Sequence, residues 1–444
     1  MDNLTHTLAG VLLGETLART TSADPTGLSQ PQRRNLLVTL MAVGSNLPDL
    51  DFLSSAISGN KIEYLLEHRG YTHTVIGALV GAALLYVAGE AWCRWKRWPL
   101  ATRDRVHFAA ATLLALLLHI AMDFTNNYGV HPFWPVDNRW FYGDTIFIWE
   151  PLLWTAAAPL VFILRTTTAR VLVGALLSAA LVVCFASGLV PIGFAVLATG
   201  LTLAMLGIAR KAKPVTALCA GIALWVSITA TFAIGHHATE TQVRRFAENA
   251  WPNMTVLNYA LTPFPANPVC WDVLLPMTDA DHYVARRATW SLWPDVLSAA
   301  RCPGREALSH GTAPTRRVGI DDSPAATWEG EVVMPRTEIA ELAARYCDAA
   351  AFMRFARVPW AMQRGHTWII GDLRYDREAE LGFAEIELTN DPATCPSSPP
   401  PWLPPRGELL ETHGQESVGG ARGFSVPGFR GDAFDPATRD RQGD

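Results

Sequence analysis

Long apolar runs alternate with short polar loops as far as about Gly235. Most of these runs approach the roughly 20 residues that a helix needs to cross a bilayer core. They predict a polytopic α-helical membrane domain with seven to eight spans. Two runs, the first and the fourth, are short enough to be tilted, buried or re-entrant. The apolar segments cover about residues 4–19, 35–56, 73–93, 107–123, 146–164, 170–187, 189–209 and 214–235.

The pattern changes after Gly235, where polar and apolar residues mix as in soluble proteins. Alternating runs at 282–290, 327–333 and 382–388 predict strands, and residues near 336–356 predict a helix. We therefore expect an extracytoplasmic α+β domain over 236–392, after the membrane domain of 1–235. The Pro/Gly-rich composition of 393–444 predicts a disordered tail.

Basic residues predict the orientation. One set of alternate loops carries 13 Lys and Arg residues, and the opposite set carries 3. Because cytoplasmic loops are enriched in Lys and Arg, we place the basic set of loops on the cytoplasmic side of a bacterial inner membrane. The loops near 57–72 and 124–145 and the α+β domain are then outside. The start of the chain has no basic region typical of a signal peptide, so the first run is expected to stay as a helix.

Composition adds two constraints. Of the 444 residues, 50% are hydrophobic and only 17% are charged, and the net charge of −5 argues against a nucleic-acid partner. The bilayer is the expected partner instead. Three of the seven cysteines lie in apolar runs, where cysteine usually acts as a small buried hydrophobe. The other four permit two disulfides if their domain is exported, or remain unpaired: Cys270, Cys302, Cys347 and Cys395.

Histidines and aspartates cluster at the predicted outer ends of the first four spans. His119 and Asp123 are four residues apart on a helix, so their side chains point the same way. Pro48 interrupts a helix just before two aspartates and turns them toward a cavity. A single histidine in a membrane helix is often only hydrogen-bonded to a neighbour, so the prediction depends on the whole set. This set is His6, Asp49, Asp51, His68, His73, His119 and Asp123.

Mixed imidazole and carboxylate donors suit zinc, with manganese or iron as alternatives, and the number of donors allows two or three ions. Asp51 is predicted to bridge ions or to support a ligand. Arg69 is suited to an anionic group such as phosphate, and its alternative is a surface arginine at the headgroup level. We assign these two residues to catalysis. The predicted metal ligands are His6, Asp49, His68, His73, His119 and Asp123.

A short repeat links two of the predicted spans. Thr5-His6-Thr7 is followed by Gly10 and Gly14, and the same pattern recurs 67 residues later, from Thr72 to Gly81. Small residues at this spacing let membrane helices approach closely. The repeat predicts two helices that pack through their glycine faces, each with a histidine at its outer end.

Together these motifs resemble the YdjM-like family of bacterial inner-membrane metal-dependent hydrolases over about residues 1–165. The resemblance implies bound metal and hydrolysis. The order of ligands is also similar, more remotely, to zinc-dependent phospholipase C and P1-type nucleases, which use three zinc ions on phosphodiesters. The chain departs from those enzymes because their last His-x-x-x-Glu pair has no clear counterpart. Asp144 and Glu150 either replace that pair or cap the fifth span.

Three further segments have weaker assignments. The aromatic loop 131–149 is expected to anchor the protein at the interface, or alternatively to guide a lipid headgroup. His236 and His237 are expected on the surface, with a ligand role as the alternative. Residues 371–375, Gly-Asp-Leu-Arg-Tyr, resemble a segment of longer members of this family, and we attach no chemistry to them.

We therefore predict a membrane-bound hydrolase that uses a metal-activated water on a phosphoester at the outer face, a phospholipid headgroup being one candidate substrate. The alternative is a non-enzymatic metal-binding or transport-associated membrane protein with the same cluster. A transport path would continue polar residues through the membrane. The sixth to eighth apolar segments contain almost none, which favours chemistry at one face.

Overall fold

A computed structural model describes residues 1–53, 59–305, 311–389, 395–396 and 398–411. The first half of the chain is helical, and two antiparallel sheets follow. The helices are α1 (Asn3–Thr20), α2 (Gln30–Gly44), α3 (Lys61–Glu67), α4 (Val75–Trp95), α5 (Thr102–Phe124), α6 (Pro151–Thr155), α7 (Leu160–Ile163), α8 (Thr167–Ala186), α9 (Ile192–Lys211), α10 (Pro214–Ala250), α11 (Glu338–Arg345) and α12 (Cys347–Phe352).

Five helices in the described part of the chain are long and apolar enough to cross a membrane: α4, α5, α8, α9 and α10. The predicted count of seven to eight spans is therefore not confirmed. The segment 4–19 forms α1, whose buried residues include His6 and Glu15. The segment 35–56 is only partly helical, since α2 ends at Gly44. The segment 146–164 is divided between two short helices, and every residue of α6 is buried in the protein.

Capping interactions place two cluster histidines near helix starts. The Asp2 carboxylate accepts hydrogen bonds from the backbone N–H groups of Leu4 and Thr5, at 3.1 and 3.0 Å, and so starts α1 just before His6. The Thr74 hydroxyl accepts from the Gly77 N–H at 2.8 Å and starts α4 just after His73. Both caps hold the histidines at the same end of the bundle.

The repeated glycines pack against different neighbours from those predicted. A Cβ atom on Gly10 would lie 2.6 Å from the Met41 carbonyl oxygen of α2, and one on Gly81 would lie 2.5 Å from the Leu116 side chain of α5. The glycine face of α1 therefore packs on α2, whereas on α4 Gly81 packs on α5 and Gly77 packs on the Tyr71 carbonyl of the preceding turn. Close approach is the role of both faces, as predicted, but the two repeats do not use it to contact each other.

The soluble half contains two antiparallel sheets. Their strands are β1 (Thr255–Val256), β2 (Ala260–Phe264), β3 (Asn267–Thr278), β4 (His282–Ser291), β5 (Ala326–Pro335), β6 (Pro359–Arg364), β7 (Thr367–Asp372) and β8 (Glu385–Glu387). In the larger sheet the strands follow the order β1-β3-β4-β5, with β2 also paired to β3, and the smaller sheet follows β6-β7-β8. The predicted strands correspond to β4, β5 and β8. The predicted helix near 336–356 is two helices, because Tyr346 adopts an extended conformation between them.

The four cysteines of the soluble half form two disulfides, Cys270–Cys302 and Cys347–Cys395. Of the two alternatives left by the sequence, the paired state is therefore the one adopted. Cys93 and Cys184 are free and buried, as expected, whereas Cys219 is exposed.

The soluble domain packs directly on the loop between α5 and α6. The Arg357 guanidinium donates to both oxygens of Asp144, at 2.8 and 2.7 Å. Trp140 donates through Nε1 to the carbonyl of Arg354 at 2.6 Å. This part of the aromatic loop is therefore buried between the domains, and the anchoring expected of it does not apply to Trp140, which lies only 7% exposed.

Some residues of the predicted tail are among those that the structure describes. Trp402 is buried, stacks on His131 with ring centroids 3.8 Å apart, and donates through Nε1 to the Leu66 carbonyl at 2.8 Å. Residues 398–411 thus lie against the membrane domain near the cluster. Residues 412–444, which complete the predicted tail, lie outside the described residues.

Candidate metal centre

The predicted histidines and aspartates meet at one end of the helical bundle. His6 comes from α1, the aspartates of 48–51 come from a 3₁₀ turn after α2, and His119 comes from α5. The ring centroids of His6 and His119 are 3.9 Å apart, and those of His73 and His119 are 4.9 Å apart. Residues separated by more than 100 positions in the chain therefore form one cluster, as the sequence predicted.

Four donors form the centre of this cluster: Asp49, His73, His119 and Asp123, with donor atoms within 4.8 Å of one another. The Nε2 atoms of His73 and His119 are 3.0 Å apart. Asp123 Oδ2 lies 3.1 and 3.4 Å from them, and Asp49 Oδ1 lies 3.4 Å from each. Ligand atoms at 2.0–2.1 Å from a tetrahedral zinc ion lie about 3.3 Å from one another. The spacing of these donors fits such an ion.

Both histidines of this group are held from behind. His119 Nδ1 donates to the Ser45 carbonyl at 2.7 Å, and His73 Nδ1 lies 3.3 Å from Asp51 Oδ2. A hydrogen bond at Nδ1 sets the tautomer and leaves Nε2 to bind a metal ion. The Nε2 atoms are the ones that face each other and the two carboxylates.

Asp51 organises the turn that carries His68 and His73. Its Oδ1 lies 2.9 Å from His68 Nδ1, and its Oδ2 accepts from the Arg69 N–H at 2.9 Å and the Thr72 hydroxyl at 2.8 Å. These bonds hold Arg69 at a φ of 61°, a left-handed conformation that non-glycine residues rarely adopt. Asp51, Asp49 and His68 also form a second group of donors within 4.8 Å.

His6 lies beside the four-donor group. Its Nε2 is 3.1 Å from Asp123 Oδ1, and its Nδ1 has no hydrogen-bond partner among the residues that the structure describes. The amino group of Met1 contacts the same oxygen of Asp123. Asp123 therefore presents one oxygen to His6 and the other to His73 and His119.

Arg69 is buried beside the cluster, with 2% of its surface exposed. Its Nε is 3.1 Å from Asp123 Oδ2, and its Nη1 donates to Asn126 Oδ1 at 2.6 Å. The guanidinium lies 5.0 Å from the centroid of the Tyr128 ring. The alternative of a surface arginine at the headgroup level is therefore wrong.

Hydrogen bonds within the cluster shift the pKa values of Asp49 and His73 toward their charged forms. Burial opposes ionisation of Asp49, but hydrogen bonds from His119 and His73 outweigh it and hold the pKa of Asp49 well below its usual value. Burial likewise disfavours a charged His73, but hydrogen bonds to three surrounding carboxylates raise the pKa of His73 to about 10. The cluster thus attracts positive charge, which a bound cation would supply in place of the proton.

The other candidate ligands have structural roles. Asp144 is paired with Arg357. Glu150 accepts from the N–H groups of Leu152 and Ala266, both at 3.0 Å, and so caps α6 as one of its two alternatives predicted. His236 lies half-buried beside Trp271, and His237 is exposed.

An open cleft of about 340 Å³ reaches the cluster between the membrane and soluble domains. The membrane domain contributes His68 and Arg69 to its lining, and the soluble domain contributes Arg374 and Arg377. A second cavity, apolar and about 380 Å³ in volume, lies between α5 and α10, with Met122 at its lining. Met1 also lines this cavity and contacts Asp123, so both cavities adjoin the cluster.

Sequence reasoning missed several residues around the cluster. Asn3 donates to Asp49 Oδ2 at 2.8 Å, and Asn126 accepts from Arg69. Asn3 and Asn126 each lie three residues from a predicted ligand, so helical spacing offered a signal for both. No local signal indicated the Ser45 carbonyl or Arg377, because a backbone acceptor has no sequence signature and Arg377 is far away in the chain.

Comparison with known proteins supports a membrane protein. The family model described as YdjM inner membrane protein matches residues 1–190. A Bacillus subtilis (strain 168) relative, described as "Uncharacterized protein YfhP", is 29% identical over 157 residues, which cover 34% of this chain and 43% of that relative. No solved structure matches. With the five apolar helices, the family match supports a multi-pass inner-membrane location. The more remote likeness to phospholipase C and P1-type nucleases stays a prediction.

Proposed function

We propose that this protein is a membrane-bound, metal-dependent hydrolase that acts on a phosphoester. The observation that carries the proposal is the four-donor group, in which two Nε2 atoms and two carboxylates lie at spacings that suit a tetrahedral ion. Zinc is the expected ion. The donors are the side chains of Asp49, His73, His119 and Asp123, and Asp51 with His68 would hold a further ion.

The protein's own residues prepare the site in three ways. The carboxylates keep the pocket negative, which favours a cation. Asp51 and the Ser45 carbonyl hold two imidazoles in place, so their nitrogens need little rearrangement to bind. The Arg69 guanidinium is positioned beside Asp123 to bind an anionic phosphoryl oxygen. A bound divalent ion supplies a Lewis acid for phosphoryl oxygens and an activated water.

The apolar cavity between α5 and α10 supports a lipid as the source of the phosphoester. Both helices are candidate membrane spans, and Val226 and Ala230 in the lining are exposed on the side of α10. An acyl chain in this cavity would lie beside Met1, which contacts Asp123 of the cluster. We therefore propose a phospholipid headgroup as the phosphoester.

Two features support a position outside the inner membrane for the site and the soluble domain. The loops on the opposite side carry most of the basic residues. The two disulfides of the soluble domain are typical of an oxidising compartment.

The proposal is tested with the full chain purified in detergent. Metal content is measured first, followed by hydrolysis of bis(p-nitrophenyl) phosphate, p-nitrophenyl phosphate and mixed micelles of phospholipids. We expect bound zinc and turnover of at least one ester, both lost in the double variant His119→Ala, Asp123→Ala. Bound metal without turnover of any ester would instead support the non-enzymatic metal-binding or transport-associated alternative.

The lipid part of the proposal has its own variant. Ala230→Trp should fill the apolar cavity and lower kcat/KM for micellar phospholipid while leaving that for p-nitrophenyl phosphate unchanged. Leu203→Trp, at an exposed position of α9 outside the cavity lining, is the matched control. Equal activity of both variants on the lipid would remove the acyl-chain assignment.

A further inference from the structure

Two arginines of the soluble domain share one aspartate at the wall of the cleft. Arg287 donates to both oxygens of Asp272, at 3.1 and 2.8 Å, and only 5% of its side chain is exposed. Arg377 reaches the same carboxylate with Nη2 at 3.4 Å, and 29% of its side chain is exposed. Arg377 is therefore the second cation on a carboxylate that Arg287 already holds through both oxygens.

Arg374, three residues earlier in the chain, differs from Arg377 in this respect. It makes three contacts of 2.8–3.1 Å with Asp372 and donates to the Asn127 carbonyl at 2.6 Å, with 1% of its side chain exposed. Its charge is closed within the protein. By contrast, the Arg377 Nε atom has no hydrogen-bond partner in the described part of the chain.

The opposite wall of the cleft belongs to the metal centre. His68 and Arg69 line the cleft from the membrane domain, and Glu378 is the acidic residue in its lining. Aromatic rings also line the cleft: the Tyr64 ring lies 5.1 Å from that of His68, and the Tyr375 ring lies 5.2 Å from that of Phe383. Cations from two domains therefore face a single cavity with largely apolar sides, where the low polarity strengthens the attraction of an anion.

We propose that Arg377 binds an anionic group of the substrate and that the soluble domain thereby completes the active site. This inference rests on the proposed function and adds the substrate class, a phosphoester whose negative charge lies between Arg69 and Arg377. Arg377 acts in binding and specificity. The residues that the Gly371–Tyr375 motif leads into thus acquire a chemical role that the sequence did not indicate.

Substitution of Arg377 is well suited to a test because Arg287 keeps Asp272 paired. Arg377→Gln removes the charge without leaving a buried carboxylate alone, and Arg377→Lys retains it. Arg364→Gln is the matched control, since Arg364 lies in the same domain, is 55% exposed and pairs with Glu387 at 3.0 Å.

The first readout is binding of inorganic phosphate to the detergent-purified full chain, measured by calorimetry with and without zinc. A hydrogen-bonded charge of this kind corresponds to about a tenfold or greater change in Kd. Arg377→Gln should weaken phosphate binding by at least about tenfold, Arg377→Lys by less than about threefold, and Arg364→Gln should not change it.

The second readout is hydrolysis of p-nitrophenyl phosphate. Arg377→Gln should raise KM and leave kcat within about twofold, the pattern of a residue that binds substrate and does not act in the chemical step. Phosphatidic acid in mixed micelles is compared with p-nitrophenyl phosphate for the unchanged protein. A higher kcat/KM on the lipid assigns the anion to a headgroup and a lower one assigns it to a free ester, and either result supports the shared chemistry.

The two proposals fail in different ways. If Arg377→Gln binds phosphate as tightly as the unchanged protein, with the same KM, the role of Arg377 is overturned while metal content and turnover still support the hydrolase. If the unchanged protein binds no metal and hydrolyses nothing, yet phosphate binding still depends on Arg377, the anion site stands and the hydrolase falls.

Discussion

Buried charges are arranged in opposite ways in the two domains. In the soluble domain and at its contact with the membrane domain they form closed pairs, such as Arg374 with Asp372 and Arg357 with Asp144. In the metal centre, Arg69 also pairs with Asp123, but two imidazole nitrogens face each other: the Nε2 atoms of His73 and His119 are 3.0 Å apart, with two carboxylates around them. A fold that only neutralises buried charge pairs acids with bases. Donors that face one another need a positive charge between them, a proton or a metal ion.

The largest effect should come from removing two ligands of the four-donor group. In the double variant His119→Ala, Asp123→Ala, we expect bound metal to fall below about a tenth of its original level, because two of four ligands are lost. Metal content by plasma mass spectrometry measures this. His237→Ala, which removes an exposed histidine, should keep full metal content. Equal metal content in the double variant and its control would contradict the four-donor group as the metal site.

Breaking a closed pair should affect stability and leave the metal in place. Asp144→Ala leaves the Arg357 charge buried without its carboxylate and should cost about 3 kcal/mol or more of unfolding free energy. Thermal unfolding in detergent measures the loss. Asp137→Ala breaks the exposed pair with Arg139 and should cost no more than about 1 kcal/mol. If the metal content per folded molecule falls in Asp144→Ala, the metal centre depends on the pair of Arg357 with Asp144, and the two features are not independent.

Asp51 contacts His73 at Nδ1, the ring nitrogen that does not face the other donors. Its substitution therefore tests whether this contact supports metal binding by the four-donor group. Asp51→Asn keeps the shape but removes the negative charge beside His73 Nδ1, so zinc affinity should fall by about 10–100-fold while binding persists at higher zinc concentration. Competition with a chelator of known affinity measures the change. The control is Asp279→Asn, at an exposed turn. Unchanged affinity in Asp51→Asn would remove Asp51 from the site.

The smallest effect should come from Glu385 of the soluble domain, an acid that lies beside a second acid, Asp376. Burial raises the pKa of Glu385 to about 7 from an ordinary 4.5, and the neighbouring Asp376 adds to the rise. The stabilisation from holding this proton is complete below about pH 4.5 and is lost as the pH rises through about 7.

Glu385→Gln stays neutral at every pH, so the loss of unfolding free energy between pH 5 and 8 should be smaller than in the unchanged protein, by an amount on the order of 1 kcal/mol, and Tm should fall less over that range. Glu387→Gln, at an exposed position of the same strand, should leave the pH dependence as it is. A Glu385→Gln profile parallel to that of the unchanged protein would contradict the raised pKa.

The convergence of His6, His73 and His119 was predictable because each lies at the same end of an apolar helix, and helix ends can be read from local patterns. The span count was not confirmed because burial inside the protein, which periodicity cannot separate from burial in lipid, accounts for α1 and α6. The wall of the cleft that carries Arg377 could not be predicted. It depends on a contact between domains more than 300 residues from His68 in the chain, and such contacts leave no local signal.

X-ray absorption at the zinc edge, on the detergent-purified protein loaded with zinc, tests the central claim most directly. The account predicts nitrogen and oxygen neighbours at about 2.0–2.2 Å with the multiple scattering of at least two imidazole rings. Zinc with sulfur neighbours at about 2.3 Å, or with no imidazole in its coordination, would contradict it.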